Sequence, residues 1–262
     1  MTYTHGHHES VLRSHRWRTV ENSAAYLAPR LVAGARVLDV GCGPGTITLD
    51  IARRVVPGHV IGIDASSDVI AQAQREAVGV DNVEFATGDV DALDFADATF
   101  DVVHAHQVMQ HLSDPVGALR EMRRVCKPDG VVAVRDCDYE AFTWYPADPR
   151  LDAWLDVYRA IARANRGEPD AGRFLLAWAN AAGFSAVTPS ASAWCFATPD
   201  ERAWWGNLWA DRMTSSAIAE QAVHDGFTTA EDLAGMADAW RTWSANPDGW
   251  FGVPHSEILA KP

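Results

Sequence analysis

Short apolar runs recur through the first half of the chain, and the stretches between them carry apolar residues at helical spacing. The runs Arg36–Val40, His59–Ile63, Val83–Thr87, Phe100–His104 and Val131–Val134 have the length and continuity of buried strands. Between them, Thr46–Ala52, Ser66–Ala77 and Asp114–Val125 predict helices, the last two opened by a serine pair and an Asp-Pro step. Strand and helix in alternation predict a parallel sheet. Pro128-Asp-Gly130 predicts a turn whose glycine ends the preceding helix and releases the chain into Val131–Val134. Upstream, Val11, Leu12, Trp17, Val20, Ala24, Tyr26, Leu27 and Leu31 predict one or two helices over 10–33. Downstream, Leu151, Trp154, Leu155, Tyr158, Ile161 and Ala162 form one helical stripe, and Phe174, Leu175 and Trp178 mark another helix over Ala171–Ala182. Ser185–Ala197 reads as a strand interrupted at Pro189, Trp250–Leu259 as a last strand, and Pro199–Ser244 as a helical insertion between them.

The first run empties directly into Gly41-Cys-Gly-Pro-Gly45 and a helix. Residues without a Cβ let the backbone turn tightly and approach a ligand, and a helix N-terminus offers free N–H groups. Asp64 ends the second run, about twenty residues on, where a carboxylate can accept both hydroxyls of a ribose. A nucleotide-like ligand is the chemistry this pattern suits. Asp39 precedes the loop, and the third run ends in Gly88-Asp89-Val90-Asp91. Phe100–His104 with the loop Ala105–Asp114, and Leu119–Arg135, complete the order of a fourth strand, a helix, a turn and a fifth strand.

Over residues 36–136 this set resembles the class I S-adenosylmethionine-dependent methyltransferases, in the small-molecule branch that includes quinone-biosynthesis enzymes. The resemblance implies an α/β fold: a Rossmann-like three-layer sandwich on a mostly parallel seven-stranded sheet, with N-terminal helices and a helical insertion before the last strand. It implies three parts of a single structural domain: a cap over 1–35, a cofactor-binding core over 36–140, and over 141–262 the rest of the sheet with acceptor-binding helices. S-adenosylmethionine, leaving as S-adenosylhomocysteine, would lie along Asp39, Gly41, Cys42, Gly43 and Gly45, along Asp64 and Ala65, along Gly88, Asp89 and Val90, and along His106, Gln107 and His111. The expected activity is methyl transfer to O, N or C of a small, largely apolar or aromatic acceptor.

A net charge of −13 opposes a nucleic-acid substrate, because phosphate-gripping proteins present a basic face. The basic residues Arg120, Arg123, Arg124 and Lys127 read as a solvated helix face. Four scattered cysteines make no disulfide framework or paired metal spacing, and the first residues lack an apolar signal core, so a cytoplasmic enzyme without a membrane span is expected. The expected transfer needs no metal, and a homodimer is left open.

Displacement at a methyl carbon depends chiefly on alignment and on excluding water, with a base needed only where the nucleophile must lose a proton. His106 is the first candidate base or acceptor orienter, and Asp138, beyond the fifth strand, is the second. His104 and His111 lie in the same segment and read more readily as packing groups, and Asp138 has an equal reading as a helix cap or a partner of Arg135. Ten of the eleven tryptophans lie at Trp144 or beyond, so the acceptor pocket is expected in that half. Trp17, Tyr139, Trp205 and Trp209 are the candidate walls, with Trp204 beside them and Arg212 one turn further on; packing is the competing reading for each tryptophan. His15–Thr19 suits a lid over the cofactor, and His5, His7, His8 and Glu9 read as an unligated arm.

Three alternatives remain. A macromolecule methyltransferase is opposed by the acidity and by His-Ala-His-Gln at 104–107, where amino-methylating DNA enzymes carry an Asp/Asn-Pro-Pro motif. A nicotinamide dehydrogenase is weakened by Asp89 and by the lack of a Tyr-x-x-x-Lys pair. A non-catalytic S-adenosylmethionine-binding protein satisfies the same cofactor motifs.

Overall fold

The computed structural model describes residues 17–262, so His5, His7, His8, Glu9, Val11, Leu12 and His15 fall outside the described residues. A short helix α1 (Val20–Ser23) and a 3-10 turn (Ala25–Arg30) lead into β1 (Arg36–Val40), α2 (Thr46–Val55), β2 (His59–Asp64), α3 (Ser67–Glu76) and β3 (Val83–Thr87). After β4 (Phe100–His106) come α4 (Pro115–Val125), β5 (Cys126–Cys137), β6 (Thr143–Tyr145), α5 (Pro149–Ala164) and α6 (Leu175–Ala182). The chain closes with β7 (Ala186–Phe196), helices α7 (Pro199–Ser215), α8 (Ala217–His224) and α9 (Ala230–Ala245), and β8 (Trp250–Lys261).

The strands form one sheet in the order β3-β2-β1-β4-β5-β8-β6, with β7 also pairing with β8. The first five strands run parallel to one another, and β8 runs antiparallel to β5, β6 and β7. The expected mostly parallel α/β sandwich is therefore observed, with the three-residue β6 added to the seven strands foreseen.

Alternation along each strand builds the layers. Val37, Val60, Val102 and Val131 face α1, the 3-10 turn and α2, where they meet Val20, Leu27, Ile47 and Ile51. Leu38, Ile61, Val103 and Val132 face Leu119, Met122, Leu175 and Ala179 of α4 and α6. Both helix starts foreseen from cap chemistry form: Ser66 accepts from the N–H of Val69, and Asp114 from that of Gly117 with Pro115 in the first turn. A second core, rich in indole, joins α5, α7, α8 and α9 to β8, with Trp154 at 4.6 Å from Trp209 and 4.8 Å from Trp240 between ring centres.

Two local expectations are corrected. Gly130 does not end a helix: α4 stops at Val125, and residues 126–130 already belong to β5, whose register with β4 shifts between the pair Phe100–Cys126 and the pair Val102–Val131. Glycine is needed there for close approach, since a Cβ would lie 2.7 Å from the Asp101 carbonyl oxygen and 2.8 Å from the Cys126 sulfur. Pro189 does not interrupt its strand, because β7 pairs only with β8 and its outer edge tolerates the missing donor.

Candidate functional site

The carboxyl ends of the parallel strands open into a cavity of about 1100 Å³, larger than a single small ligand needs. Asp39, Gly41, Cys42, Gly43, Asp64, Ala65, Gly88, Asp89 and Val90 line one half of it. Gly43, in a left-handed conformation at φ 55°, donates its N–H to Asp64 Oδ2 at 3.1 Å, and Ser66 donates to Oδ1 at 3.0 Å. Two of the four carboxylate lone-pair positions are thereby used and two remain, enough for a vicinal diol. Asp89 stands at the next strand end and accepts from the Asp91 N–H at 3.0 Å.

Gly45 does not itself line the cavity, although Pro44 and Thr46 on either side of it do. It starts α2 at φ 82°, and a Cβ there would come within 2.6 Å of the Phe85 ring. Its function is to let α2 pack against β3. Asp39 lines the cavity, yet its carboxylate serves the scaffold: Thr48 donates to one oxygen at 2.6 Å and His104 Nδ1 to the other at 2.7 Å, tying α2, β1 and β4 together. Cys42 is nearly buried, and burial with the neighbouring Asp39 and Asp64 charges pushes its thiol pKa well up, so it enters the site as a neutral group.

His106 ends β4 with 5% exposure, lines the cavity, and leaves both ring nitrogens without a hydrogen-bond partner. Burial, aided by Arg18 and Arg135, holds its pKa well below the ordinary histidine value, so the imidazole is neutral near pH 7. Burial likewise lowers His111 to about 3. Gln107 follows at φ 55°, a conformation unusual for a non-glycine residue. Its amide joins two elements: Arg18 donates to Oε1 at 2.6 Å, while Nε2 donates to His255 Nε2 at 2.9 Å. His255 Nδ1 in turn donates to the Val253 carbonyl at 2.9 Å, which fixes the tautomer.

Asp138 does not line the cavity, and its carboxylate accepts from Arg173 Nε and Nη2 at 2.7 Å each. The partner of Asp138 is thus Arg173 rather than Arg135. Asp136 is also unavailable to a ligand: it is fully buried and accepts from the N–H groups of Met109 and Gln110, with desolvation raising its pKa to about 7.

Aromatic residues line the other half of the cavity. Trp17, Tyr139, Trp205 and Trp209 all reach it. They pack as well: Trp205 stacks on Phe196 at 4.3 Å, Tyr139 lies between Phe142 at 4.4 Å and Tyr158 at 4.1 Å, and Trp209 is 1% exposed. Trp194 was not foreseen. It stands on β7 beside His106 at 5.7 Å and Trp17 at 5.3 Å, and the alternation Ser190, Ser192, Trp194 was the available signal of its face. His255 was missed too, since a lone histidine in a last strand carries no motif.

A model of the methyltransferase domain matches residues 31–179. The chain is 34% identical to an uncharacterised methyltransferase of Schizosaccharomyces pombe, over 99% of its own length and 96% of that protein. A demethylmenaquinone methyltransferase of Staphylococcus aureus is 37% identical but matches 38% of this chain and 42% of its own length. Among solved structures, phosphoethanolamine N-methyltransferase 2 of Haemonchus contortus, in complex with phosphomonomethylethanolamine and S-adenosylhomocysteine, superposes with a TM-score of 0.55 at 18% identity, over 88% of this chain and 49% of that one. At that identity the likeness concerns the fold.

Proposed function

The chain belongs to the methyltransferase domain family, and from that premise we propose that it moves a methyl group from S-adenosylmethionine to O, N or C of a small, largely apolar or aromatic acceptor. The observation that carries this reading is the two-sided cavity: glycine loop and strand-end carboxylates on one side, aromatic rings on the other, with His106 between them. The Haemonchus contortus enzyme, which shares the fold, is in complex with S-adenosylhomocysteine, and this supports the choice of cofactor.

The residues fit such a group on their own chemistry. Gly41 passes so close to Val108 that a Cβ would stand 2.4 Å from Cγ2, so only bare backbone fits between that side chain and the ligand side. Asp64 keeps lone pairs for a ribose diol, and Asp89 is suited to an adenine amine. When bound, the sulfonium supplies an electrophilic methyl carbon. The chain's part is to hold the acceptor in line, exclude water with Trp17, Trp194 and Trp205, and turn the nucleophilic atom toward the methyl. His106 is the proposed orienter: a neutral imidazole accepts a hydrogen bond from a hydroxyl, and where that hydroxyl must ionise it takes the proton at a ring nitrogen. The cap over 1–35, the core over 36–140 and the helices of 141–262 act as one unit in this reading.

The test is calorimetric titration with S-adenosylmethionine and S-adenosylhomocysteine, with the Asp64→Ala protein alongside. Micromolar binding to the parent and its loss in the variant are expected. Absence of binding of both ligands to the parent overturns the reading.

A further inference from the structure

From Phe174 to Pro199 the sequence carries no Asp, Glu, Lys, Arg or His, in a chain that is 22% charged with a net charge of −13. The run is not a core segment. It spans α6 and β7, and of the eleven residues of β7 only Trp194 and Phe196 are buried. β7 pairs with β8 residue for residue from Ala186–Lys261 to Phe196–Phe251, and among the described residues no strand pairs with its outer side. Pro189 has no N–H to give, so within this continuous ladder its backbone belongs on the outer side, and the two-residue repeat of a strand puts Ala191, Ala193 and Cys195 with it. The opposite end of the sheet is built differently: β3 has five residues and carries Glu84, with a side chain 71% exposed. Charge and shortness keep sheet edges from pairing with other chains, and the β7 edge has neither. Beside it, α6 is in contact with β7 and leaves Leu176 exposed, next to an exposed Phe174.

We propose that this edge is the interface of a homodimer, in which β7 pairs antiparallel with β7 of a second copy about a twofold axis, over the Ser190–Cys195 side of Pro189. The composition selects a second copy as the occupant. Two chains of charge −13 repel each other over most of their surfaces, and the charge-free run is where they can approach without opposing like charges. An antiparallel strand pair about a twofold axis is self-complementary, so each copy offers the other the same outward N–H and C=O groups. A foreign strand added to a sheet edge is selected by pockets that read its side chains, and the alternating Ser and Ala of 190–193 build none. Small side chains on both strands also let the two edges close to the ordinary strand spacing of about 4.8 Å. A pair of strand edges alone buries less than the roughly 800 Å² per partner of a stable interface, and Phe174 and Leu176 beside it enlarge the patch.

The test is sedimentation velocity on the full chain over about 1 to 100 μM, with amide hydrogen exchange measured at both ends of that range. No substrate or cofactor enters the measurement, so its outcome is separate from that of the methyltransferase reading. A species of twice the 28.6 kDa chain mass is expected to grow with concentration, and the amides of Ala191 and Ala193 are expected to exchange about ten-fold or more slower in it. The double variant Ala191→Lys, Ala193→Lys changes two exposed positions and sets like charges against each other across the axis, so the dimer is expected to weaken by about 100-fold or more. Two added lysines take the net charge from −13 to −11, which eases long-range repulsion, so a weaker dimer reports on the edge itself. The parent's exchange decides if the variant fails to fold. A monomer throughout, a dimer whose β7 amides exchange as fast as in the monomer, or a folded variant that dimerises like the parent overturns the proposal. Protection of these amides that does not depend on concentration also overturns it, by placing another segment or another partner on the edge.

Discussion

The Asp138 carboxylate is clasped by Arg173 through two hydrogen bonds of 2.7 Å, and neither side chain reaches the cavity. Arg173 is 40% exposed, so solvent screens the pair and its worth is small despite the good geometry. Asp138→Asn should lower stability by no more than about 1 kcal/mol. Its pH–rate profile should keep the limbs of the parent. A displaced limb in the variant would return Asp138 to the reaction.

His106 is the group whose loss should be felt in turnover. The residue lines the cavity, and both of its ring nitrogens are buried without a hydrogen-bond partner. His106→Ala should reduce kcat by a factor of about 10² to 10⁴ if the acceptor must lose a proton, and by less if orientation is its whole role. S-adenosylhomocysteine affinity should stay within about three-fold of the parent, as expected of a group that acts on the acceptor. Because burial holds its pKa well below the ordinary value, the parent's rate should show no limb from this group near pH 6.5. Unchanged turnover in the variant would remove His106 from the chemistry.

Buried neutral histidines also set the acid stability. His106, His111 and His255 all have folded pKa values lowered by burial, so between the unfolded value of about 6.5 and their folded values they gain protons only on unfolding. Asp136 opposes them: its folded pKa is raised to about 7, so it keeps a proton that the unfolded chain releases. Near pH 5 three protons taken up and one released leave a net uptake of about two on unfolding, and stability must fall as pH falls. Urea midpoints should therefore drop from pH 7 to pH 5. A flat or rising midpoint would contradict the buried neutral histidines.

The strand ends and glycine loop were legible in the sequence because their chemistry is local. Asp64 and Gly43 meet across adjacent strands whose register follows from the apolar runs themselves. The acceptor half was legible only as a concentration of tryptophan. Trp209 belongs to a helix and Trp194 to a strand that precedes the insertion, and no spacing in the sequence relates them. Asp138 shows a related limit: its position beyond β5 suits a candidate base, but the sequence does not reveal that Arg173, far along the chain, meets the carboxylate. Gly130 misled because a glycine after a helix has two readings, a left-handed cap or a close approach, and pairing with β4 selects the second.

Gly34 and Gly45 separate backbone strain from steric fit. Both have positive φ, 86° and 82°, but a Cβ at Gly34 meets nothing within 4 Å while one at Gly45 meets Phe85 at 2.6 Å. Gly34→Ala should cost about 1 to 2 kcal/mol for the left-handed conformation alone. Gly45→Ala should cost that and a further 1 to 3 kcal/mol, roughly, for overpacking. Equal denaturant midpoints for the two variants would mean that α2 shifts away from β3 without penalty.

Gln107 is the residue whose amide, and not merely its size, is needed. Arg18 donates to its oxygen and its nitrogen donates to His255 Nε2, a ring atom that must accept because Nδ1 donates to the Val253 carbonyl. In Gln107→Glu the carboxylate still receives Arg18 but turns a second acceptor toward His255; moving the ring proton from Nδ1 to Nε2 would relieve the contact only by giving up the Val253 bond, whereas a second proton on the ring keeps both. The folded pKa of His255, well below the ordinary value in the parent, must therefore rise in the variant. A raised folded pKa contributes stability at low pH that is lost as pH rises through it. The variant should be less stable than the parent by about 1 to 3 kcal/mol at pH 8, from two buried acceptors left facing each other, and the gap should narrow toward pH 5.5. Gln107→Leu serves as the control, because it removes both hydrogen bonds without adding charge and its deficit should vary less with pH. A Gln107→Glu deficit that stays constant from pH 5.5 to pH 8 would show that the amide does not fix the protonation of His255.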